Sequence, residues 1–307
     1  MKKVFISTSS FAKHDALPLR LLKDAGLDIQ LNPYGRKLTR DECSGLYQDI
    51  DGLVAGTEAL TAEILRSASN LRVISRCGAG ADSIDMGVAK ELGIKVFTTP
   101  DAPTQAVAEL TIGLMLDLLR GISMEDRLIR TDVWQKHMGN LFSGKTLGIL
   151  GLGRIGKRVV ELTQPFNLKY IARDISPDRQ FADKHSIEFV GLDELLSKAD
   201  IVTIHLPYAP ELKGIIGERE FSLMKRDSFL LNTARGGLVD ETALYKALRE
   251  KRIAGAALDV FEQEPYSGSL TELDNIILTS HIGSYAKEAR VEMEVQAVKN
   301  LLQGLEL

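Results

Sequence analysis

Three apolar runs in the last third of the chain each lead into a polar group able to bind an anion or move a proton. "SFLLNTA" leads to Arg235, "AGAALDVF" to Glu262 and Glu264, and "NIILTS" to His281. A guanidinium presents a fixed fork of N–H donors that fits a carboxylate and can polarise an adjacent carbonyl oxygen. An imidazole exchanges a proton near neutrality, so it can protonate a developing alkoxide or deprotonate a hydroxyl. A carboxylate such as Glu264, bonded to that imidazole, would fix its tautomer and stabilise its charged form. These three groups suit the interconversion of a keto acid and a hydroxy acid, provided that a hydride carrier lies beside them.

The stretch "LGILGLGRIG", residues 147–156, is where such a carrier would bind. A strand-like run enters three glycines. Gly151 permits a tight turn, Gly153 lets the backbone approach a pyrophosphate, and Gly156 lets the next helix sit close to the strand. The helix "RIGKRVVELTQPF" would aim its first N–H groups and its positive dipole end at that anion. After a second strand, "LKYIA", comes Asp174, 18 residues beyond Gly156. An acidic side chain there can accept from both adenosine ribose hydroxyls and repels a 2′-phosphate, which favours NAD over NADP. Arg173, its neighbour, weakens that preference.

The elements that must position these groups follow from an alternation of short apolar runs with helical stretches. The first hundred residues contain "KVFIST", "LDIQLNP", "DGLVAG", "LRVISRCG" and "IKVFTTP". A second series begins at Lys145 with "TLGILGLG", "KYIARD", "IEFV", "DIVTIHLP", "SFLLNTARG", "IAGAALDVF" and "NIILTSH". Strands spaced by helices predict parallel sheets covered on both faces, with ligands at the carboxyl ends of the strands. Between the two series, "DAPTQAVAELTIGLMLDLLRGISMEDRLI" reads as one long helix, buried in the monomer or packed on a second copy. The closing "SYAKEARVEMEVQAVKNLLQGL" reads as an amphipathic helix that returns to the first half. The predicted division is residues 1–100 with 283–307 as the substrate domain, and 101–282 as the cofactor domain.

Composition excludes several function classes. With 307 residues, 44% hydrophobic content and 26% charged content, the chain can bury two cores. A net charge of −4 without a basic stripe argues against nucleic acid. No apolar run approaches the roughly 18 residues of a membrane span, and "VFI" is too short for a signal peptide core. Cys43 and Cys77 lack metal-type spacing, so no metal is expected, and they read as reduced thiols of a cytoplasmic protein.

"GKTLGILGLGRIG", "NTARGGLVDE", "AGAALDVFEQEP" and "SHIG", with "ISRCGAGADSID" and "PTQAVAELTIGLML", resemble the signatures of the D-isomer-specific 2-hydroxyacid dehydrogenases. The resemblance is strongest to short phosphoglycerate dehydrogenases that lack a regulatory domain. It implies a Rossmann-type doubly wound parallel sheet plus a smaller flavodoxin-like α/β substrate domain, joined as a homodimer through the long helix. It implies Arg235, Glu264 and His281 as the catalytic set. The NAD site would comprise Gly151, Gly153, Arg154, Ile155, Gly156, Asp174, Leu206, Thr233, Ala234, Arg235, Asp259, His281, Gly283 and Ser284, with Asp259 near the nicotinamide carboxamide. The loop "RCGAGAD" would offer the N–H groups of Gly78, Ala79 and Gly80 to the substrate carboxylate as an anion nest.

One departure concerns the substrate. Phosphoglycerate dehydrogenases often place an arginine just after the third strand, whereas this chain has Thr57 and Glu58 there. A carboxylate near a phosphate is unfavourable, so Arg76, or Lys136 or His137 of a second copy, would have to compensate. The reading is 3-phosphoglycerate and 3-phosphohydroxypyruvate, with hydroxypyruvate, glyoxylate or another 2-keto acid as the alternative. Two rivals of other classes are an NAD(H)-sensing corepressor, which would need extra recruiting segments, and a methyltransferase, which would not need the histidine–carboxylate pair.

Overall fold

The computed structural model describes residues 1–307. The chain forms two compact units, Met1–Pro103 with Ser284–Leu307, and Thr104–Gly283. In the first, β1 (Lys3–Ile6), β2 (Asp28–Leu31), β3 (Gly52–Ala55), β4 (Val73–Arg76) and β5 (Lys95–Phe97) form one parallel sheet in the order β2-β1-β3-β4-β5. That is the flavodoxin-like order.

Successive side chains of a strand point to opposite faces, and both faces of this sheet are buried. Phe5, Leu53 and Ile74 pack under the helices Arg40–Leu46, Ala62–Ser67 and Met86–Glu91. Val4, Ile6, Val54 and Val73 pack against Leu22 and against Met293, Ala297, Val298 and Leu301 of the helix Lys287–Gly304. The last helix of the chain therefore covers the first sheet.

The second unit contains β6 (Thr146–Leu150), β7 (Lys169–Arg173), β8 (Ile187–Phe189), β9 (Ile201–Ile204), β10 (Phe229–Asn232), β11 (Gly255–Leu258) and β12 (Ile276–Leu278). All pair in parallel in the order β12-β11-β10-β9-β6-β7-β8. Every residue of β9, β10 and β11 is buried, which explains their unbroken apolar runs. Strand order reverses between β6 and β9, the point at which doubly wound sheets open a ligand crevice.

The segment expected to be one long helix is two. Thr104–Arg120 and Ile122–Arg130 are separated by Gly121, whose φ of 64° is left-handed and ends the first helix. The first buries Leu114, Met115 and Leu119 with Val159, Val160 and Ile149 of the same unit. The second has no buried residue, and Ile122 and Ile129 are exposed, as are Trp134, Met138 and Leu141 beyond it. No helix of the chain is long and apolar enough to cross a membrane.

Candidate active site

The glycine turn lies at the carboxyl end of β6. Gly151 has φ +93°, and a Cβ there would come within 2.8 Å of the His205 carbonyl oxygen. A Cβ on Gly156 would meet the Gly151 carbonyl at 2.4 Å, so only glycine lets the helix start this close to the strand. The helix Arg154–Thr163 begins at Gly153 without a side-chain cap, an arrangement that suits an anion at its first N–H groups. Arg154 is exposed in its first turn, while Ile155 packs partly into the core. Asp174 follows β7 directly and reaches back to the turn. Its Oδ2 accepts from Leu152 N at 2.7 Å and its Oδ1 from Ser176 N at 2.8 Å.

On the other side of the switch point, β9 ends in Ile204, followed by His205 and Leu206. A side-chain methyl of Leu206 comes within 3.0 Å of the Cβ position of Gly151. His205 shares a 3.0 Å hydrogen bond between Nε2 and the Thr203 hydroxyl, and its Nδ1 is enclosed without a partner. Burial pushes the pKa of its imidazole down to about 3, so this ring stays neutral at physiological pH.

The turn after β10 holds Thr233, Ala234 and Arg235. Thr233 shares a 3.0 Å hydroxyl–hydroxyl bond with Thr111 of the helix Thr104–Arg120. Asn232, almost fully buried at the strand end, donates from Nδ2 to the Arg235 carbonyl and accepts on Oδ1 from Ala234 N. The Arg235 guanidinium donates to the Ala234 carbonyl at 2.7 Å. Sequence reading missed Asn232 and Thr111, because neither residue type signals a local role without knowledge of the turn.

Beyond β11 and β12 the structure joins the imidazole to a carboxylate. His281 Nδ1 lies 2.9 Å from Glu264 Oε2 and 3.1 Å from Oε1. Facing an anion, Nδ1 carries the proton, which leaves Nε2 to exchange one with a bound reactant. Glu264 is held in turn by Phe261 N, which donates to its Oε1 at 3.1 Å. Glu262, the other acidic candidate, is turned away and pairs with Lys213. Both members of the His281–Glu264 pair keep about two-fifths of their side-chain surface exposed (43% and 38%), so the ring is accessible to a ligand. Asp259 is fully buried and its oxygens accept from Thr279, Ile282 and Gly283, with Gly283 the last residue of this unit and Ser284 the first of the returning segment.

In the first unit the glycine loop after β4 departs from expectation. Gly78 N–H is taken by the Thr99 hydroxyl at 2.8 Å, so it is not open to an anion. The Arg76 side chain folds across Gly78, where a Cβ would overlap its Nη1, and donates to the Cys77 carbonyl at 2.6 Å. The Glu58 carboxylate does not project toward a ligand. It is 3% exposed and accepts from the Ser7 and Tyr47 hydroxyls and from Gly56 N. Both cysteines are buried free thiols, and burial pushes the Cys77 thiol up to about 11.

Residues 112–283 match the family model described as "D-isomer specific 2-hydroxyacid dehydrogenase, NAD binding domain". The chain belongs to this family. As a 2-hydroxyacid dehydrogenase domain, the glycine turn, the uncapped helix start and Asp174 form a cradle that fits NAD, the cofactor named for the matching domain.

Among curated relatives, a glyoxylate reductase of Thermofilum pendens is 43% identical over 279 residues, covering 87% of this chain and 82% of the relative. A D-3-phosphoglycerate dehydrogenase of Methanocaldococcus jannaschii is 40% identical over 276 residues, covering 87% of this chain and 52% of the relative. The chain thus spans about half the length of that phosphoglycerate dehydrogenase. Among solved structures, D-lactate dehydrogenase from Aquifex aeolicus, complexed with NAD and lactic acid, is 28% identical with a TM-score of 0.86, covering 99% of this chain and 96% of that one.

Proposed function

We propose that this chain catalyses the reversible, NAD-dependent interconversion of a small D-2-hydroxy acid and its 2-keto acid. The observation that carries the reading is the 2.9 Å bond between His281 and Glu264 in a unit that also carries the dinucleotide turn. Bound NAD supplies the two-electron acceptor or, reduced, the donor. His281 Nε2 gives its proton to the carbonyl oxygen during reduction and takes it back from the hydroxyl during oxidation. Glu264 keeps the proton on Nδ1 and stabilises the imidazolium that forms when the hydroxyl is deprotonated. Arg235 binds the substrate carboxylate and polarises the neighbouring carbonyl. His205 is not given this role, because its Nε2 is bonded to the Thr203 hydroxyl and its Nδ1 is enclosed. General acid–base catalysis of this kind contributes about 10²–10⁴-fold.

For the substrate, we favour 3-phosphohydroxypyruvate and 3-phosphoglycerate. The Arg76 guanidinium beside the glycine loop supports an anionic ligand, and the inward-facing Glu58 removes the repulsion that its sequence position suggested. The 43% identity to a glyoxylate reductase supports a second reading, reduction of an unphosphorylated 2-keto acid. The exposed apolar side chains of Ile122, Ile129, Trp134, Met138 and Leu141 support a homodimer, and the buried free thiols suit a reducing, cytoplasmic setting.

A panel of 2-keto acids with and without a phosphate, assayed by NADH absorbance, tests both levels. Turnover of 3-phosphohydroxypyruvate well above glyoxylate and hydroxypyruvate is expected. The reverse order rejects the phosphate assignment, and a His281→Ala variant with full turnover rejects the acid–base role.

A further inference from the structure

We propose that Asp259 is a positioning residue: its buried carboxylate holds the 279–283 segment so that the left-handed main chain of His281 presents the imidazole to Glu264. The inference rests on the acid–base role given to His281 above.

His281 has φ +55°, a conformation that residues other than glycine adopt infrequently and keep only where the surroundings enforce it. Core packing does not enforce it here, since the His281 side chain is 43% exposed and Ile282 is 40% exposed. Hydrogen bonds do. The first residue after β11, Asp259, is anchored by its own N–H, which donates to the Asn232 carbonyl at 3.0 Å. From that fixed point its Oδ1 accepts from the Thr279 hydroxyl at 2.6 Å and from Ile282 N at 2.8 Å, and its Oδ2 accepts from Gly283 N at 2.8 Å.

The donors thus come from both sides of His281, two residues before it and one and two residues after it. A single fully buried anion clamps the loop across the histidine. Bonds of N–H and O–H to an ionised acceptor are the strong ones, and a buried carboxylate left without them is heavily penalised, so the clamp and the loop conformation enforce each other. Glu264 then fixes the ring, while Asp259 fixes the backbone that carries it.

The test compares Asp259→Asn, Asp259→Ala, Thr279→Val and His281→Ala in the full chain. It measures kcat, KM for the keto acid, the NADH dissociation constant by fluorescence, and the ¹⁵N shifts of the His281 imidazole, assigned by its loss in His281→Ala. Asp259→Asn places an amide N–H against a backbone N–H and loosens the loop. A fall in kcat of about 10- to 100-fold is expected, the scale of a misplacement near 1 Å. The His281 ring shifts should move as well, whether or not turnover is detectable.

An unchanged kcat with unchanged ring shifts overturns the proposal, and so does a loss of NADH affinity with unmoved ring shifts, which would leave Asp259 acting on the cofactor alone. Should the Asp259 variants fail to fold, Thr279→Val decides, because it removes one donor and leaves the carboxylate. It should lower kcat by about three- to ten-fold and move the ring shifts; no change in either rejects the clamp. Loss of activity in His281→Ala with none in Asp259→Asn rejects only the positioning role. Full activity in His281→Ala rejects the function on which it rests.

Discussion

Asn232 Nδ2 donates to the carbonyl oxygen of Arg235 at 2.8 Å, and the same side chain accepts from Ala234 N at 3.0 Å. One amide, 1% exposed, therefore shapes the turn that carries the guanidinium. Replacing it with alanine leaves a part-buried carbonyl and a buried N–H without partners, at about 1–3 kcal/mol for the buried group. Asn232→Ala should lower the melting temperature and raise KM for the keto acid more than it changes NADH affinity, since the turn displaces Arg235. Thermal unfolding together with steady-state kinetics checks this; a KM unchanged at lowered stability would leave Asn232 with a purely structural part.

On the proposed reading, Asp174 would serve the cofactor site in two ways that substitution can separate. Its charge would repel a 2′-phosphate, and its Oδ2 holds Leu152 N of the glycine turn at 2.7 Å. Asp174→Ala removes both, so affinity for NADH should fall and the preference over NADPH should relax. Asp174→Asn retains one carbonyl oxygen to accept from Leu152 while it loses the charge. It should relax the preference by about ten-fold or more with a smaller loss of NADH affinity, because one discriminating contact is worth about 1–3 kcal/mol. Titrations of each variant with both reduced cofactors measure the two effects separately, and equal discrimination in wild type and Asp174→Asn would remove the ribose role.

The fold was legible because strands of a doubly covered parallel sheet are apolar on both faces. "SFLLN" and "AGAAL" show this, and all twelve runs read from the sequence are strands. The pairing of His281 with Glu264 rather than Glu262 was inferable from residue type and resemblance, but the geometry rests on the fold of the 261–266 loop. The supporting groups were not legible. Asn232 and Thr111 act through side-chain bonds to backbone or to a distant hydroxyl, which leave no periodic trace in the sequence, and the resemblance implies Asp259 only for the cofactor, not for its bonds to the 279–283 segment. Glu58 misled for the opposite reason. Its place after the third strand suggested a carboxylate beside a substrate phosphate, yet two hydroxyls and a backbone N–H satisfy it inside the first unit. Gly121 was hidden in a continuous helical period, because a glycine keeps the apolar spacing while its left-handed φ ends the helix.

The neutral His205 makes stability pH-dependent. Its folded pKa of about 3 lies below the unfolded value of roughly 6.5, so between these values the unfolded chain binds a proton that the folded chain excludes. Stability therefore rises with pH across this window, and acidification from pH 7 to 5 should cost about 1–2 kcal/mol from this group. Glu294, whose carboxyl is pushed up by burial, acts in the opposite direction, so the effect is isolated by comparing wild type with His205→Gln. The glutamine can still meet the Thr203 hydroxyl. Urea unfolding at both pH values should show a smaller acid loss in the variant, and parallel losses would assign the acid sensitivity elsewhere.

Trp134 is the only tryptophan of the chain and is 84% exposed in the single copy. With Met138 at 90%, Leu141 at 75% and Ile122 at 58%, it belongs to a stretch that leaves large apolar side chains in water, which monomeric proteins avoid as contiguous patches. A tryptophan buried at a subunit interface is the kind of side chain whose truncation costs about 2 kcal/mol or more of association energy. If the stretch is the dimer contact, Trp134→Lys weakens assembly through lost apolar burial and an unpaired charge. Light scattering coupled to size exclusion should then give twice the mass of 33.8 kDa for wild type and a single-chain mass for the variant at low micromolar concentration. Wild-type emission should lie to the blue of a solvated indole and redden on dilution as the dimer dissociates. A single-chain mass for the wild type, or a red emission maximum at every concentration, would exclude this surface as the interface.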